Sequence, residues 1–255
     1  MLLDLYKYSG ANAKTKGLNG NLLTIKDYNH LLSLKTVLDI IDYLKTKSSY
    51  QKLLADLPTH EIHRSNIEKR ISLALYNDFV KIFRFINWDT KNIFKIYFIS
   101  LEIKILKDII RCIYDVRDVT PDIIYYHDFF KTHSSLNVRV LSNCKSFEEL
   151  LDNLSNTPYH KVLSTVDLKG KTLFDLEMKL DIFYFHEVSK IIEKSLKNQE
   201  KKIVNEIFKS EMDLTNLMWI YRFKKFYNFD KDIIYSYLAP EGLYIKKDTI
   251  LKLVN

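Results

Sequence analysis

The sequence is poor in the residues that break helices, cross-link chain segments or build tight turns. Its 255 residues include five glycines, four prolines and two cysteines. So few glycines and prolines exclude the many tight turns of a β-sandwich or barrel. The cysteines, Cys112 and Cys144, form no CxxC pair, which excludes a disulfide framework and fits a reducing cytoplasmic setting.

Long apolar runs are absent as well. Charged residues interrupt each candidate run, as Lys81 and Arg84 do between residues 79 and 86. No stretch therefore reaches the roughly 20 apolar residues that a membrane-spanning helix needs. The first residues lack a basic stretch followed by an apolar run, so we expect no secretory signal.

Motifs for nucleotide or acyl chemistry are also absent, since no phosphate-binding loop, dinucleotide glycine pattern or nucleophile elbow occurs. His60 and His63 flank Glu61 and Ile62, a spacing that places two imidazoles near one another. A structural zinc ion needs about four ligands, and no cysteine pair accompanies these histidines. We therefore predict no metal, no cofactor, no small-molecule substrate and no catalytic residue.

The net charge of +7 raises the question of a nucleic-acid partner. The lysines are interspersed with Asp and Glu, and no arginine-rich segment or zinc-finger spacing accompanies them. We interpret the charge as solvated helix faces and predict no nucleic-acid binding. The alternative, an RNA-binding helical repeat, would show salt-dependent RNA retention.

What the chain does contain is apolar residues at helical spacing. Ile67, Ile71 and Ala74 begin one such stripe, which continues to residue 86. Because residues three and four apart share one helix face, this spacing predicts an amphipathic helix despite the many β-branched and aromatic residues. The same pattern elsewhere predicts an all-α protein.

The sequence also repeats itself at an offset of 109 to 111 residues. Three pairs of segments match in apolar and charged character: 36–41 with 146–151, 67–71 with 176–180, and 101–103 with 212–214. The sequence of residues 122–125 (DIIY) recurs at residues 232–235, which indicates the start of a third copy. We predict tandem helical units over residues 1–117 and 118–229, with an incomplete third unit over 230–255.

Residues 211–217 (EMDLTNL), with Arg222, carry the polar groups that first suggest an active site. We place Asp213 and Asn216 near the start of a helix running from about residue 214 to 227, where they would accept backbone N–H groups. Arg222 would pair with a carboxylate of a neighbouring helix. Since Glu102 and Arg111 recur at the matching positions, a structural role is expected.

These residues resemble the C subunit of bacterial and archaeal V/A-type ATPases, whose counterpart in eukaryotic vacuolar ATPases is the d subunit. The matching features are the segment 211–217 followed by Arg222 and Lys224, Leu154 with Thr157-Pro158-Tyr159, and Tyr6 with Leu22-Leu23. The set of family residues with an expected structural role is Tyr159, Glu211, Asp213, Asn216, Leu217 and Arg222.

The resemblance implies a funnel-like helical protein of three similar units that is itself non-catalytic. It implies a central-stalk component that receives the rotor axle, formed by the D and F subunits, and rests on the proteolipid ring of a proton- or sodium-translocating ATPase. The protein would lie peripherally at the cytoplasmic face of the membrane. The incomplete third unit departs from the family pattern.

A second hypothesis is a helical-repeat adaptor, unrelated to an ATPase, that binds a protein or peptide helix. Copurification separates the two. The first predicts association with the D and F subunits and the membrane ring, whereas the second predicts a soluble partner.

Overall fold

The structure is a computed structural model that describes residues 2–55, 57–58, 62–86, 91–116, 123, 126–165, 173–240 and 242–255. In these ranges every regular element is a helix, which confirms the all-α prediction. The helices are α1 (Leu2–Asn19), α2 (Ile25–Ser33), α3 (Val37–Lys45), α4 (Ser48–Leu54), α5 (Arg64–Phe83), α6 (Lys91–Tyr114), α7 (His127–His133), α8 (Val138–Leu141), α9 (Phe147–Asn153), α10 (Pro158–Leu163), α11 (Leu173–Ser195), α12 (Asn198–Arg222), α13 (Lys231–Ser236) and α14 (Lys247–Val254).

The chain forms two compact units. The first comprises Met1–Lys91 with Pro121–Thr132, and the second comprises Asn92–Thr120 with His133–Asn255. In the first unit α4 packs against both α3 and α5, around a core of Ile41, Leu44, Leu54, Leu57 and Ile67.

The core of the second unit is built mainly by α11 and α12, together with Ile96 of α6 and Ile250 of α14. Phe223, which follows α12, is nearly inaccessible and makes edge or tilted ring contacts with Phe174, Phe229 and Tyr237. Burial of such large side chains is the main source of stability in a helical protein of this size.

The order of short and long helices recurs within the chain. Helices α3, α4 and α5 begin at residues 37, 48 and 64, and α9, α10 and α11 begin at residues 147, 158 and 173. The hydroxyl groups of Thr36 and Ser146 cap α3 and α9 in the same way, each accepting the backbone N–H three residues later at 3.1 Å. An equivalent cap at an equivalent place supports the repeat read from the sequence.

The compact units are not the repeat units, because α6 belongs to the first copy of the repeat, residues 1–117, yet packs with α11 and α12 of the second copy. The division into compact units therefore does not test whether the sequence is duplicated. The division at residues 117/118 and 229/230 therefore stays a prediction.

The start of α12 differs from the sequence-based expectation. The helix was predicted from about residue 214 but begins at Asn198, because residues 198–213 contain no glycine or proline to end it. At its other end α12 runs into a π-helical turn, Phe223–Tyr227, which Asn228 closes in the left-handed region with φ of 49°.

None of the described helices is both long and apolar enough to cross a bilayer.

Candidate functional site

Asp213 lies within α12 and is only 4% exposed. Its Oδ2 atom accepts the backbone N–H groups of Leu243 at 2.9 Å and Tyr244 at 2.7 Å. Its Oδ1 atom accepts the N–H of Ile245 at 3.2 Å. One carboxylate therefore accepts hydrogen bonds from three consecutive backbone N–H groups of the segment between α13 and α14. These bonds offset the free-energy cost of removing the carboxylate from water.

Asn216, one turn further along α12, binds the same connection nearer its start. Its Oδ1 atom accepts the N–H of Ala239 at 2.8 Å, and its Nδ2 group donates to the carbonyl oxygen of Ala239 at 3.3 Å. The amide thus pairs with both polar groups of one buried residue. We call Asp213, Asn216 and their backbone partners the α12 latch.

Gly242 allows this close approach. A Cβ atom at this position would lie 1.9 Å from Oδ1 of Asp213 and 2.8 Å from the carbonyl oxygen of Lys209. Both distances are far below van der Waals contact, so any other residue would push the segment away from α12. The latch therefore depends on a backbone position that only glycine fits.

The sequence-based explanation of Asp213 and Asn216 was wrong in its location. They were placed near a helix start, whereas α12 begins about four turns earlier, at Asn198. The donors they satisfy belong to a connection 23 to 32 residues later in the chain. The kind of bond, a side chain accepting backbone N–H groups, was as expected.

An equivalent arrangement exists on α6, at the position that matches Asp213 in the repeat. Glu102 is buried and accepts hydrogen bonds from the hydroxyl groups of Ser134 and of Tyr159, the latter at 2.5 Å. Glu102 lies 32 residues before Ser134, and Asp213 lies 32 residues before Ile245. We call Glu102, Ser134 and Tyr159 the α6 latch.

The protonation of the α6 latch reflects its burial. Desolvation raises the pKa of Glu102, and the hydrogen bonds from Ser134 and Tyr159 oppose that rise. Desolvation, and then the negative charge of Glu102, raise the pKa of Tyr159, so its hydroxyl remains a donor. The buried hydroxyl of Tyr159 therefore donates the hydrogen bond that joins α10 to Glu102 of α6.

Ion pairs join α6 to α11. The guanidinium group of Arg111 donates from Nε and Nη2 to the two carboxylate oxygens of Glu177, at 2.6 and 2.9 Å. One turn earlier on α6, Lys107 binds Asp181 at 2.6 Å. The bidentate pair raises the pKa of Arg111, while burial raises the pKa of Asp181 against the opposing effect of Lys107.

The other predicted residues of α12 lie outside its latch. Glu211 lines a cavity of about 410 Å³ together with Lys104 and Thr215, and partial burial raises its pKa. Leu217 and Arg222 are exposed. Among the described residues Arg222 has no ion-pair partner, so the expected pairing with a neighbouring helix is not found there.

The histidine pair receives no support as a ligand set. His60 and Glu61 lie outside the described residues, and His63 is exposed at the start of α5. Within the described part of the chain, no group of three or more His, Cys, Asp or Glu side chains is placed to hold a metal ion.

The sequence profile of one protein family, described as "ATP synthase (C/AC39) subunit", matches residues 11–255. The chain belongs to this family. The recognition made from residues 211–217 and Tyr159 is thereby confirmed at the level of the family.

Relatives within the C/AC39 family are named as the C subunit of A-type ATP synthase. The chain is 24% identical to the protein of Methanococcoides burtonii over 97% of its own length and 67% of the relative's. It is 22% identical to that of Pyrococcus abyssi over 97% of its length and 64% of the relative's. It is 23% identical to the protein of Desulfurococcus sp. over 96% of its own length and 64% of the relative's. The chain thus spans about two thirds of the length of these relatives.

Sequence reasoning missed three residues that have a clear structural role. Ser134 and Gly242 complete the two latches. In the first unit, Asp27 accepts from Lys47 at 2.5 Å and Tyr43 at 2.6 Å, and these bonds lower its pKa. The offset of the repeat could have indicated Ser134 and Ile245 as matching positions, but no pattern indicates which hydroxyl meets a buried carboxylate.

Proposed function

We propose that this member of the C/AC39 family is a non-catalytic central-stalk component of a V/A-type rotary ATPase. The observation that carries the proposal is the family match over residues 11–255, supported by relatives named as the C subunit of A-type ATP synthase. In this proposal the protein lies peripherally at the cytoplasmic face of the membrane and belongs to a complex that moves protons or sodium ions.

The chemistry of the latches supports a structural role for the family residues. Asp213 and Asn216 direct their polar atoms at the protein's own backbone, and Glu102 directs its carboxylate at Ser134 and Tyr159. Groups whose hydrogen bonds are used internally hold helices in place instead of meeting a substrate. Such bonds suit a part that must transmit torque without deforming.

We further infer that the protein couples the rotor axle, formed by the D and F subunits, to the proteolipid ring. Repeated helical units over residues 1–117 and 118–229, with the start of a third over 230–255, would surround the axle in a funnel-like arrangement. The recurring Thr36 and Ser146 caps and the matched positions of Glu102 and Asp213 support the duplication on which this arrangement rests.

The test is coexpression of the tagged chain with the D and F subunits from the same organism, followed by size-exclusion chromatography and mass spectrometry. We expect the chain to co-elute with D and F, and the complex to be retained by membranes that contain the proteolipid ring. A Gly242→Val variant, which disrupts the α12 latch, should be retained less, whereas the exposed Arg139→Ala substitution should behave as the parent protein.

Elution of the folded chain alone, while D and F form their own complex, would contradict the proposal. Copurification with a soluble protein outside the ATPase would instead favour the helical-repeat adaptor.

A further inference from the structure

A groove of about 560 Å³ lies between α10 and α11 in the second unit. Its floor is apolar and half-buried, formed by Val162, Ile182 and Phe183. The ring of Phe183 makes an edge contact with the buried ring of Tyr159, with 5.4 Å between the centroids, which fixes this side chain in place. Basic side chains also line the groove: Lys161, Lys179, His186 and Lys190.

Two of the lysines along the groove carry uncompensated charge. Lys190 binds Glu187 of the same helix at 2.5 Å. Lys161 and Lys179 have no ion-pair partner among the described residues. A lysine can lay its methylene stem along an apolar surface while its ammonium group stays in water. The groove therefore suits an occupant with an apolar body and an anionic end.

The groove lies away from the contacts that join one copy of the repeat to the next. Those contacts run from α6, where Glu102 binds Ser134 and Tyr159 and Arg111 binds Glu177. None of these three partners of α6 is among the residues that line the groove. By the repeat, a third copy would meet the second through α12, the counterpart of α6. The remainder of a third unit therefore does not account for the open groove.

The width of the groove favours a single thin chain as its occupant. Helix α11 rises roughly 16 Å from Lys179 to Lys190 at about 1.5 Å per residue. Over that length a volume of 560 Å³ gives a mean cross-section of roughly 35 Å², less than half of the roughly 80 Å² of a helix about 10 Å across. An extended peptide would place backbone N–H and C=O groups on an apolar floor that offers them no hydrogen bonds. An acyl chain is narrow and has no such groups.

We propose that the groove between α10 and α11 binds a long-chain fatty acid, with its acyl chain on Val162, Ile182 and Phe183 and its carboxylate on Lys161 and Lys179. A groove of this width covers one chain, whereas a phospholipid would leave its second chain in water. The lysines supply the charge that the carboxylate needs, and the floor supplies the apolar contact. This inference goes beyond the proposed function, because it assigns a ligand to a surface that has no part in that function.

The test follows binding of cis-parinaric acid, a fluorescent fatty acid, to the full chain below the concentration at which the ligand forms micelles. We expect saturable binding that palmitate displaces. Laurate, which has a shorter chain, should displace the probe about tenfold less effectively, because each methylene group in the groove adds to the affinity. Monopalmitin carries the same chain without the carboxylate and should also be about tenfold weaker than palmitate.

Substitutions separate the two ends of the ligand. Lys179→Glu should weaken palmitate binding about tenfold or more and leave monopalmitin binding nearly unchanged, whereas Lys179→Arg should retain both. The matched control is Lys202→Glu, the same charge change at an exposed lysine of α12, which should bind as the parent does. Val162→Glu places a carboxylate on the floor and should weaken both ligands. Circular dichroism verifies that each variant is folded.

Three results would overturn the proposal. The first is the absence of saturable binding, or equal binding of palmitate and monopalmitin. The second is binding that Lys179→Glu leaves unchanged but Leu214→Glu removes, which would place the ligand on the exposed face of α12. The third is binding to phosphatidylglycerol vesicles without binding to fatty acid, which would assign the lysines to a membrane surface. The assay contains no other ATPase component, so its failure is distinguishable from failure of the proposed function.

Discussion

The α6 latch and the α12 latch each use one buried carboxylate to hold a later segment of the chain, but the donors that bind the two carboxylates differ. Glu102 and Asp213 occupy matching positions on their helices and both reach 32 residues along the chain. Glu102 accepts from two side-chain hydroxyls, whereas Asp213 accepts from three backbone N–H groups. The shorter aspartate requires the backbone to approach, and the longer glutamate reaches out to side chains. The α12 latch should therefore be sensitive to a backbone change at Gly242 as well as to loss of the Asp213 carboxylate, whereas the α6 latch depends on its side-chain donors.

The largest effect is expected from Gly242→Ala. The added Cβ atom would lie 1.9 Å from Oδ1 of Asp213, so the segment must move and the bonds to Asp213 weaken together. We expect a loss of about 3–4 kcal/mol in the free energy of unfolding. Urea denaturation monitored by tryptophan fluorescence measures this loss.

The matched control for this substitution is Gly17→Ala in α1, where a Cβ atom would meet nothing within 4 Å. There the alanine should be neutral or stabilising by about 0.5–1 kcal/mol, because it favours the helix over the unfolded chain. Equal losses at Gly17 and Gly242 would show that the close approach to Asp213 does not matter.

The second-largest effect is expected from Asp213→Ala, which removes the acceptor of three backbone N–H groups. Leaving these partly buried donors without a partner should lower the free energy of unfolding by about 2–3 kcal/mol. Asp213→Asn should lose less, since its remaining oxygen can keep the bonds to Leu243 and Tyr244. Glu206→Ala on the exposed side of α12 should stay within about 0.5 kcal/mol of the parent protein. An equal loss from Ala and Asn would mean that charge, not acceptor count, holds the segment.

The latches also show what could be predicted from the sequence. The all-α class follows from residue spacing and from the scarcity of glycine and proline, both of which are local properties. The repeat places Glu102 and Asp213 at equivalent positions. It does not reveal the donors, because Ser134 and Ile245 meet their carboxylates only after the helices pack. Ala239, Pro240 and Gly242 are residues typical of a loop, but the contact of Gly242 with Asp213 depends on the tertiary fold.

Tyr159→Phe tests the α6 latch with a smaller expected loss. The substitution keeps the buried ring and its edge contact with Phe183, and it removes the donor to Glu102. At pH 7 the loss should be about 1–2 kcal/mol, because the buried carboxylate retains only Ser134. Tyr244→Phe, at an exposed tyrosine of the second unit, is the control and should change the free energy of unfolding by less than about 0.5 kcal/mol. Equal effects at Tyr159 and Tyr244 would contradict a specific bond to Glu102.

The smallest expected effect is on the pH dependence of stability, where Glu102→Gln replaces the titrating group of the α6 latch with a neutral one of the same shape. Burial raises the pKa of Glu102 above its ordinary value of 4.5, so the folded protein binds this proton more tightly than the unfolded chain does. The contribution of Glu102 is then greatest below pH 4.5 and declines as the pH rises through the raised pKa. Other groups cancel in the difference between parent and variant, which should fall with rising pH in urea denaturation. A difference that increases with pH would show that the hydrogen bonds from Ser134 and Tyr159 outweigh the desolvation of Glu102.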